Sequence, residues 1–262
     1  MSFHAFVGKR HPISNEIKQK EAPGRAEPAW AAEVVSSNTV GYQKVTLTPG
    51  YNMLSPAFSY VGGGEKAIID LFEEKDGFVA ADTDAEADYI SVWYGGGYAY
   101  TYFFSSDAAD DDADAKWASD QDSFSETPDI LPANTGFWFY NRGASKTVTL
   151  SGEVPTNDVS VAISSGYTML SNPFSAPLPV KSIIATSGAF TGADTDAEAD
   201  YISVWRNGGY DATYFFSTDA EDAWASDQDS FTETDESIGP GEAFWFYRRG
   251  TDPLEISLPC PY

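Results

Sequence analysis

Thirteen residues, ADTDAEADYISVW, occupy positions 81–93 and return without a change at 193–205. Around them the chain keeps answering itself. GYNMLSPAF (50–58) is matched by GYTMLSNPF (166–174), and YAYTYFFS (98–105) by YDATYFFS (210–217). WASDQDSF (117–124) returns at 224–231, and GFWFYNRG (136–143) is matched by AFWFYRRG (243–250). Whatever one half folds into, the other must fold into as well. The spacing between matched segments shrinks along the chain, so two short deletions separate the halves. One lies in 59–80 against 175–192, the other in the acidic insert DAADDDADAK of the first half. Length changes of this kind belong in surface loops.

The matched segments read as strands. KVTLTPGYNMLS and SVAISSGYTMLS alternate apolar and polar residues and turn at Gly-Tyr, the period of a half-buried strand. YISVW is β-branched and aromatic, and a Gly-containing turn joins it to the next aromatic run as a hairpin. TVTLSGEV and LEISLP close the two halves. Helix signals are confined to GEKAIIDLFEEK (64–75), which suits one short helix, and loosely to PVKSIIAT. The expectation is an all-β chain, a tandem duplication of two small β-sandwich or barrel-like domains. A flexible N-terminal arm spans 1–32, the first domain 33–152 and the second 153–262, joined near Glu153–Asp158. The arm has no hydrophobic period. AWA around Trp30 resembles a small-residue cleavage site, but no apolar stretch of a secretory signal precedes it.

Composition narrows the function. Forty acidic against fifteen basic residues give a formal charge of -25, which repels nucleic acid and anionic membranes and attracts cations. No apolar run approaches the ~18 residues of a membrane span. The only histidines, His4 and His11, lie in the arm, so the patterned region has neither a His–Cys zinc cluster nor a Ser-His-Asp triad. VGGGEK (61–66) lacks the spacing of a phosphate-binding loop and reads as a turn. Cys260 is the sole cysteine, so no intrachain disulfide forms.

Two constellations are candidate sites. In DTDAEAD, carboxylates fall at every second position: Asp82, Asp84, Glu86 and Asp88, then Asp194, Asp196, Glu198 and Asp200. Such charges repel one another unless a cation or water intervenes. Calcium takes six to eight oxygen ligands, and this loop presents several, although it is not an EF-hand. Asp120, Asp122, Asp227 and Asp229 could complete such a site. The competing reading is a solvated acidic turn in which Asp88 and Asp200 bond backbone amides. In FWFY, Phe137 and Phe139 share one face, and Trp138 and Tyr140 the other; Phe244, Phe246, Trp245 and Tyr247 repeat this. One face fills a core. The other must meet a second sheet, the sister domain or a ligand. Trp138, Tyr140 and Arg142, with Trp245, Tyr247 and Arg249, suit sugar rings, whose faces are apolar and whose hydroxyls need polar partners. Paired carboxylates for glycoside hydrolysis carry no signal where acids are so abundant.

The second half also resembles a β-rich repeat module of secreted and surface-attached bacterial proteins. The resemblance rests on Gly166, Tyr167, Leu170, Pro173 and Phe174, on Tyr201, Ile202, Val204 and Trp205, and on Pro240, Gly241, Ala243, Phe244 and Trp245. The first half departs from it, with SPAF for NPF and PANTGF for PGEAF. The resemblance implies export and a non-catalytic role, and supplies no catalytic residues. The expectation is an extracellular or cell-surface structural or adhesive protein, a self-assembling surface or filament subunit with calcium-stabilised loops. Its partners would be copies of itself or surface proteins. The alternative is a carbohydrate-binding module, with a glycoside hydrolase behind it.

Overall fold

The computed structural model describes residues 39–56, 58, 66–72, 77–105, 116–119, 130–226 and 232–262. The arm, the loop 61–65, the acidic insert 107–115 and Asp120, Asp122, Asp227 and Asp229 lie outside these residues. Among the described residues the chain is β-structure without an α-helix, and no helix is long and apolar enough to cross a membrane.

In the first half, β1 (Val40–Leu47) leads into β2 (Gly50–Leu54), followed by β3 (Lys66–Ala67), β4 (Tyr89–Tyr94), β5 (Gly97–Ser105), β6 (Lys116–Ala118), β7 (Ile130–Leu131), β8 (Phe137–Asn141) and β9 (Lys146–Glu153). The second half holds β10 (Val159–Ile163), β11 (Gly166–Ser171), β12 (Leu178–Pro179), β13 (Ile184–Ser187), β14 (Tyr201–Arg206), β15 (Gly209–Ser217), β16 (Ala223–Ala225), β17 (Ser237–Ile238), β18 (Ala243–Arg248) and β19 (Leu254–Leu258). Each half builds one five-stranded antiparallel sheet, in the orders β2-β8-β4-β5-β6 and β11-β18-β14-β15-β16. A smaller sheet faces each: the ribbon β1–β9 in the first half, and β10-β19-β13 in the second.

The expected hairpins form where the turn residues dictate. Tyr94 pairs with Gly97 and Arg206 with Gly209, leaving two-residue loops at Gly95–Gly96 and Asn207–Gly208. All four loop residues have positive φ, the conformation whose twist matches the flanking strands and which Gly and Asn adopt at least cost. Both hairpins carry a register shift one step before the turn, at Val92/Trp93 and Val204/Trp205, and a bulge of this kind re-aims side chains near a strand end.

Alternation then sorts the two faces. Ile90, Val92, Phe137 and Phe139 point inward and meet Val45, Leu47, Val148 and Leu150 of the ribbon. Ile202, Val204, Phe244 and Phe246 meet Ile163, Leu254, Ile256 and Leu258 in the same way. Each half therefore has its own buried core between two layers. The short helix expected over 64–75 is absent where that stretch is described. Lys66–Ala67 is a strand pairing with β7, and Ile68–Asp70 is a single 3-10 turn. Ile68, Leu71 and Phe72 drop into the core from it. The PVKSIIAT segment likewise gives a 3-10 turn at Val180–Ser182 before β13.

The other faces of the two large sheets pack on each other. Met53 and Trp138 of the first half meet Met169, Ala243 and Trp245 of the second, with Trp93 and Trp205 alongside. The contacts are reciprocal. Leu54 bridges Glu242 and Leu170 bridges Thr135. The Ser55 amide donates to Gly241 O at 2.9 Å, and the Ser171 amide to Asn134 O at 3.0 Å. The Trp93 indole donates to Tyr167 O at 3.0 Å, and the Trp205 indole to Tyr51 O at 3.3 Å. Trp93 meets Trp245, and Trp138 meets Trp205, edge to face at 5.2 Å in both cases. Such aromatic pairs add about 0.5–1.5 kcal/mol each beyond the area they bury.

Candidate functional site

The repeated acidic loop folds differently from its alternating pattern. The amides of Glu86 and Ala87 both donate to Thr83 O, and those of Glu198 and Ala199 to Thr195 O. The chain coils there, so alternate residues do not share a face. Asp82, Asp84 and Glu86 are exposed, whereas Asp88 is fully buried; Asp194, Asp196, Glu198 and Asp200 divide the same way. Among the described residues, no three His, Cys, Asp or Glu side chains gather as a cation site, and the residues expected to complete one, Asp120, Asp122, Asp227 and Asp229, lie outside them.

The buried aspartates close the loop. Asp88 accepts from the Val79 amide (3.0 Å), the Arg142 amide (2.6 Å) and Lys146 Nζ (2.7 Å). Asp200 accepts from the Thr191 amide (2.9 Å), the Arg249 amide (2.6 Å) and the Arg248 guanidinium. The counter-charge comes from β9 in one half and from the end of β18 in the other. Position 141, where the first half has Asn against Arg248 of the second, instead donates to Leu47 O and Ala144 O. Packing thus accounts for Ala87, Asp88 and their counterparts, all buried, and the competing reading of Asp88 and Asp200 as amide-bonding residues describes what they do.

The arginines that follow FWFY complete this corner. Arg142 donates to Ala87 O and Asp84 O while its guanidinium lies 4.5 Å above the Tyr140 ring. Arg249 repeats this on Ala199 O, Asp196 O and Tyr247, at 4.4 Å. Tyr140 stacks on Tyr89 at 5.1 Å and 8°, and Tyr247 on Tyr201 at 5.0 Å and 14°. The phenols then pair outward: Tyr51 with Tyr89 at 2.8 Å, and Tyr167 with Tyr201 at 2.7 Å. Burial first, and the bond to the neighbouring phenol second, push the Tyr89 and Tyr201 hydroxyls well above the ordinary phenol range.

These stacks form walls of two hollows at the seam. The first, about 420 Å³, is lined by Tyr51, Asp84, Tyr89, Ser91, Tyr98 and Trp138 with Trp205 from the other half. The second, about 430 Å³, is lined by Tyr167, Asp196, Tyr201, Ser203, Tyr210, Thr213 and Trp245 with Trp93 from the first half. Both volumes fall within the roughly 300–1,000 Å³ of small-ligand sites. The Trp138 and Trp245 indole nitrogens are buried without a hydrogen-bond partner of full geometry. Each nonetheless lies beside a rim hydroxyl: burial raises the Tyr98 and Tyr210 phenols, and these indoles partly offset the shift. Tyr51, Tyr98, Tyr167 and Tyr210 are about half exposed, so the rims are open aromatic surface.

Of the ligand-binding residues expected from sequence, Trp138 and Trp245 line the clefts. Tyr140, Arg142, Tyr247 and Arg249 stand behind them as the support of Tyr89 and Tyr201. Sequence reasoning missed Tyr51, Tyr98, Tyr167, Tyr210 and the crossing tryptophans Trp93 and Trp205. The available signal was their recurrence at matched positions on the strand face opposite the core. Comparison with protein-family models, curated proteins and solved structures found no match for this chain, so its function is argued from the clefts themselves.

Proposed function

We propose that this protein is a non-catalytic extracellular adhesion module that holds glycans in two equivalent clefts. The twin aromatic hollows carry the reading. Each offers tyrosine and tryptophan faces for the apolar side of a pyranose, and hydroxyls of Tyr and Ser for its polar edge. Among the described residues each is lined by a single carboxylate, Asp84 or Asp196, whereas hydrolysis of a glycosidic bond ordinarily takes two; this favours binding over turnover. Two sites on one chain suit adhesion, because simultaneous engagement multiplies a weak single-site affinity.

The halves are copies of one ancestral unit on this reading. The shared strand order, the shared bulge before the hairpin turn and the reciprocal seam support it. Surface display is supported by the resemblance to modules of secreted and surface-attached bacterial proteins.

A glycan array followed by calorimetry on the best oligosaccharide tests the function. Two sites per chain are expected. Tyr98→Ala or Tyr210→Ala, each at an exposed rim, should leave one, and the double variant none. Absence of saturable glycan binding at millimolar concentration, or indifference to both substitutions, overturns the reading.

A further inference from the structure

The clefts are electrically one-sided. Among the described residues no basic side chain lines either of them, and each holds one exposed carboxylate, Asp84 or Asp196. Neither carboxylate has a hydrogen bond or ion pair to a described side chain, although the backbone carbonyls of both residues accept from an arginine. Arg142 and Arg249 are engaged outside the lining, on tyrosine faces and loop carbonyls, and Arg206, next to Trp205, is paired with Glu242. The loop that each arginine holds carries three exposed acids: Asp82, Asp84 and Glu86, or Asp194, Asp196 and Glu198. Asp194 takes a hydrogen bond from Thr218. Asp88 and Asp200 are neutralised by Lys146 and Arg248. The mouth of each cleft is therefore net negative, on a chain of formal charge -25.

Five aromatic rings and one carboxylate around a hollow suit a cation. The faces of Trp and Tyr present negative potential and attract ammonium groups, and the field of the whole chain draws cations toward the site. A neutral sugar would stack on the rings and offer the carboxylate hydroxyl donors only, whereas an ammonium group adds a stronger, charge-assisted bond. Accepting the glycan reading above, we propose that the sugar recognised here carries a free amine. The ligand class is a glucosamine-type oligosaccharide whose ammonium group lies between the aromatic wall and Asp84 or Asp196.

Calorimetry on the full chain with short glucosamine oligosaccharides, and with N-acetylated oligosaccharides of the same length, tests this. The ring is the same and only the charge differs. Two pH values are used, one below and one above the sugar amine's pKa, the lower kept well above the carboxylate range. At the lower pH the amine form should bind roughly tenfold more tightly, the scale of one cation–π contact in a partly desolvated site. The advantage should shrink at the higher pH and in added salt. Asp84→Asn with Asp196→Asn should remove the preference while acetylated oligosaccharide still binds. Tyr98→Ala with Tyr210→Ala should abolish binding of both forms. Amine binding that survives the tyrosine substitutions is general attraction to an acidic chain and overturns the proposal. Equal affinity for both forms at both pH values overturns it and leaves the glycan reading standing. If neither oligosaccharide binds and tetramethylammonium does, the glycan reading fails and this proposal fails with it.

Discussion

Gly136 and Ala243 occupy matched positions, each just before the FWFY strand, and they meet each other across the seam. A methyl group at Gly136 would overlap Ala243 Cβ and lie 3.0 Å from Leu170 O and 3.1 Å from Met169 Cγ. There is room for one methyl between the halves. The Gly136 backbone is one that alanine can adopt, so Gly136→Ala tests the contact rather than backbone strain. Overpacking costs roughly 1–3 kcal/mol, and the stiffer unfolded chain returns roughly 0.4–1 kcal/mol. The expected net loss is about 0–2.6 kcal/mol, a fall in Tm of up to roughly 10 °C for a unit of this size. Ala243→Gly alone should cost about 1–2 kcal/mol, from one lost buried methyl and added chain entropy. The exchange Gly136→Ala with Ala243→Gly moves the methyl to the other side of the gap. It should recover stability to within about 1 kcal/mol of the parent, a coupling of the size found between touching residues. Denaturant unfolding of the four proteins measures the cycle. If the two single losses simply add in the exchanged protein, these residues do not share one space and the seam has been misread.

Other consequences are also measurable. Asp88→Asn removes the counter-charge of Lys146, whose Nζ keeps only the Gly77 carbonyl at 2.6 Å, and leaves one of two backbone amides without an acceptor; removal of one partner from a buried ion pair costs about 3–5 kcal/mol, and a loss below about 1 kcal/mol in denaturant titration would place the pair on the surface. Tyr89, Tyr98, Tyr201 and Tyr210 all have phenols raised above the ordinary value. Their contribution to stability is fully present below the unfolded phenol value of about 10 and is lost as pH rises toward the folded values. Alkaline titration followed at the tyrosinate absorbance should show these four ionising late, with stability falling above pH about 10; four normal phenols would refute the packing described. For calcium, the buried aspartates already have protein counter-charges, so chelation should leave Tm unchanged. A rise in Tm with millimolar calcium that Asp84→Asn and Asp196→Asn abolish would restore the cation reading.

What the sequence made legible was whatever depends on period and turn chemistry. Alternation in FWFY and YISVW separated Phe137, Phe139, Ile90 and Val92 from Trp138, Tyr140 and Trp93, and the structure buries the first set in the core. The glycines after YISVW announced a hairpin turn, and the structure places its loops at 95–96 and 207–208, where φ is positive. Alternation failed in DTDAEAD, since a side-chain period of two holds only in an extended chain and this stretch coils at Thr83 and Thr195. It also could not show that Asp88 is buried, because the groups that neutralise it lie about fifty residues away in sequence and differ between the halves.

The clefts were the least legible feature, for a definite reason. An outward aromatic on a sheet has three possible partners, and local pattern cannot choose among them. Trp205 completes the cleft built on Tyr51, and Trp93 the one built on Tyr167, so neither hollow exists until the halves dock. One trace of that docking was in the sequence. Within a segment that otherwise repeats closely, the position before FWFY changes from Gly136 to Ala243. A position fixed only by its own sheet would have no reason to lose its methyl in one half. A position that meets its own counterpart does, because two methyls collide there and one fits. The difference between the halves therefore marks the seam, and the seam in turn places a tryptophan from each half in the cleft of the other.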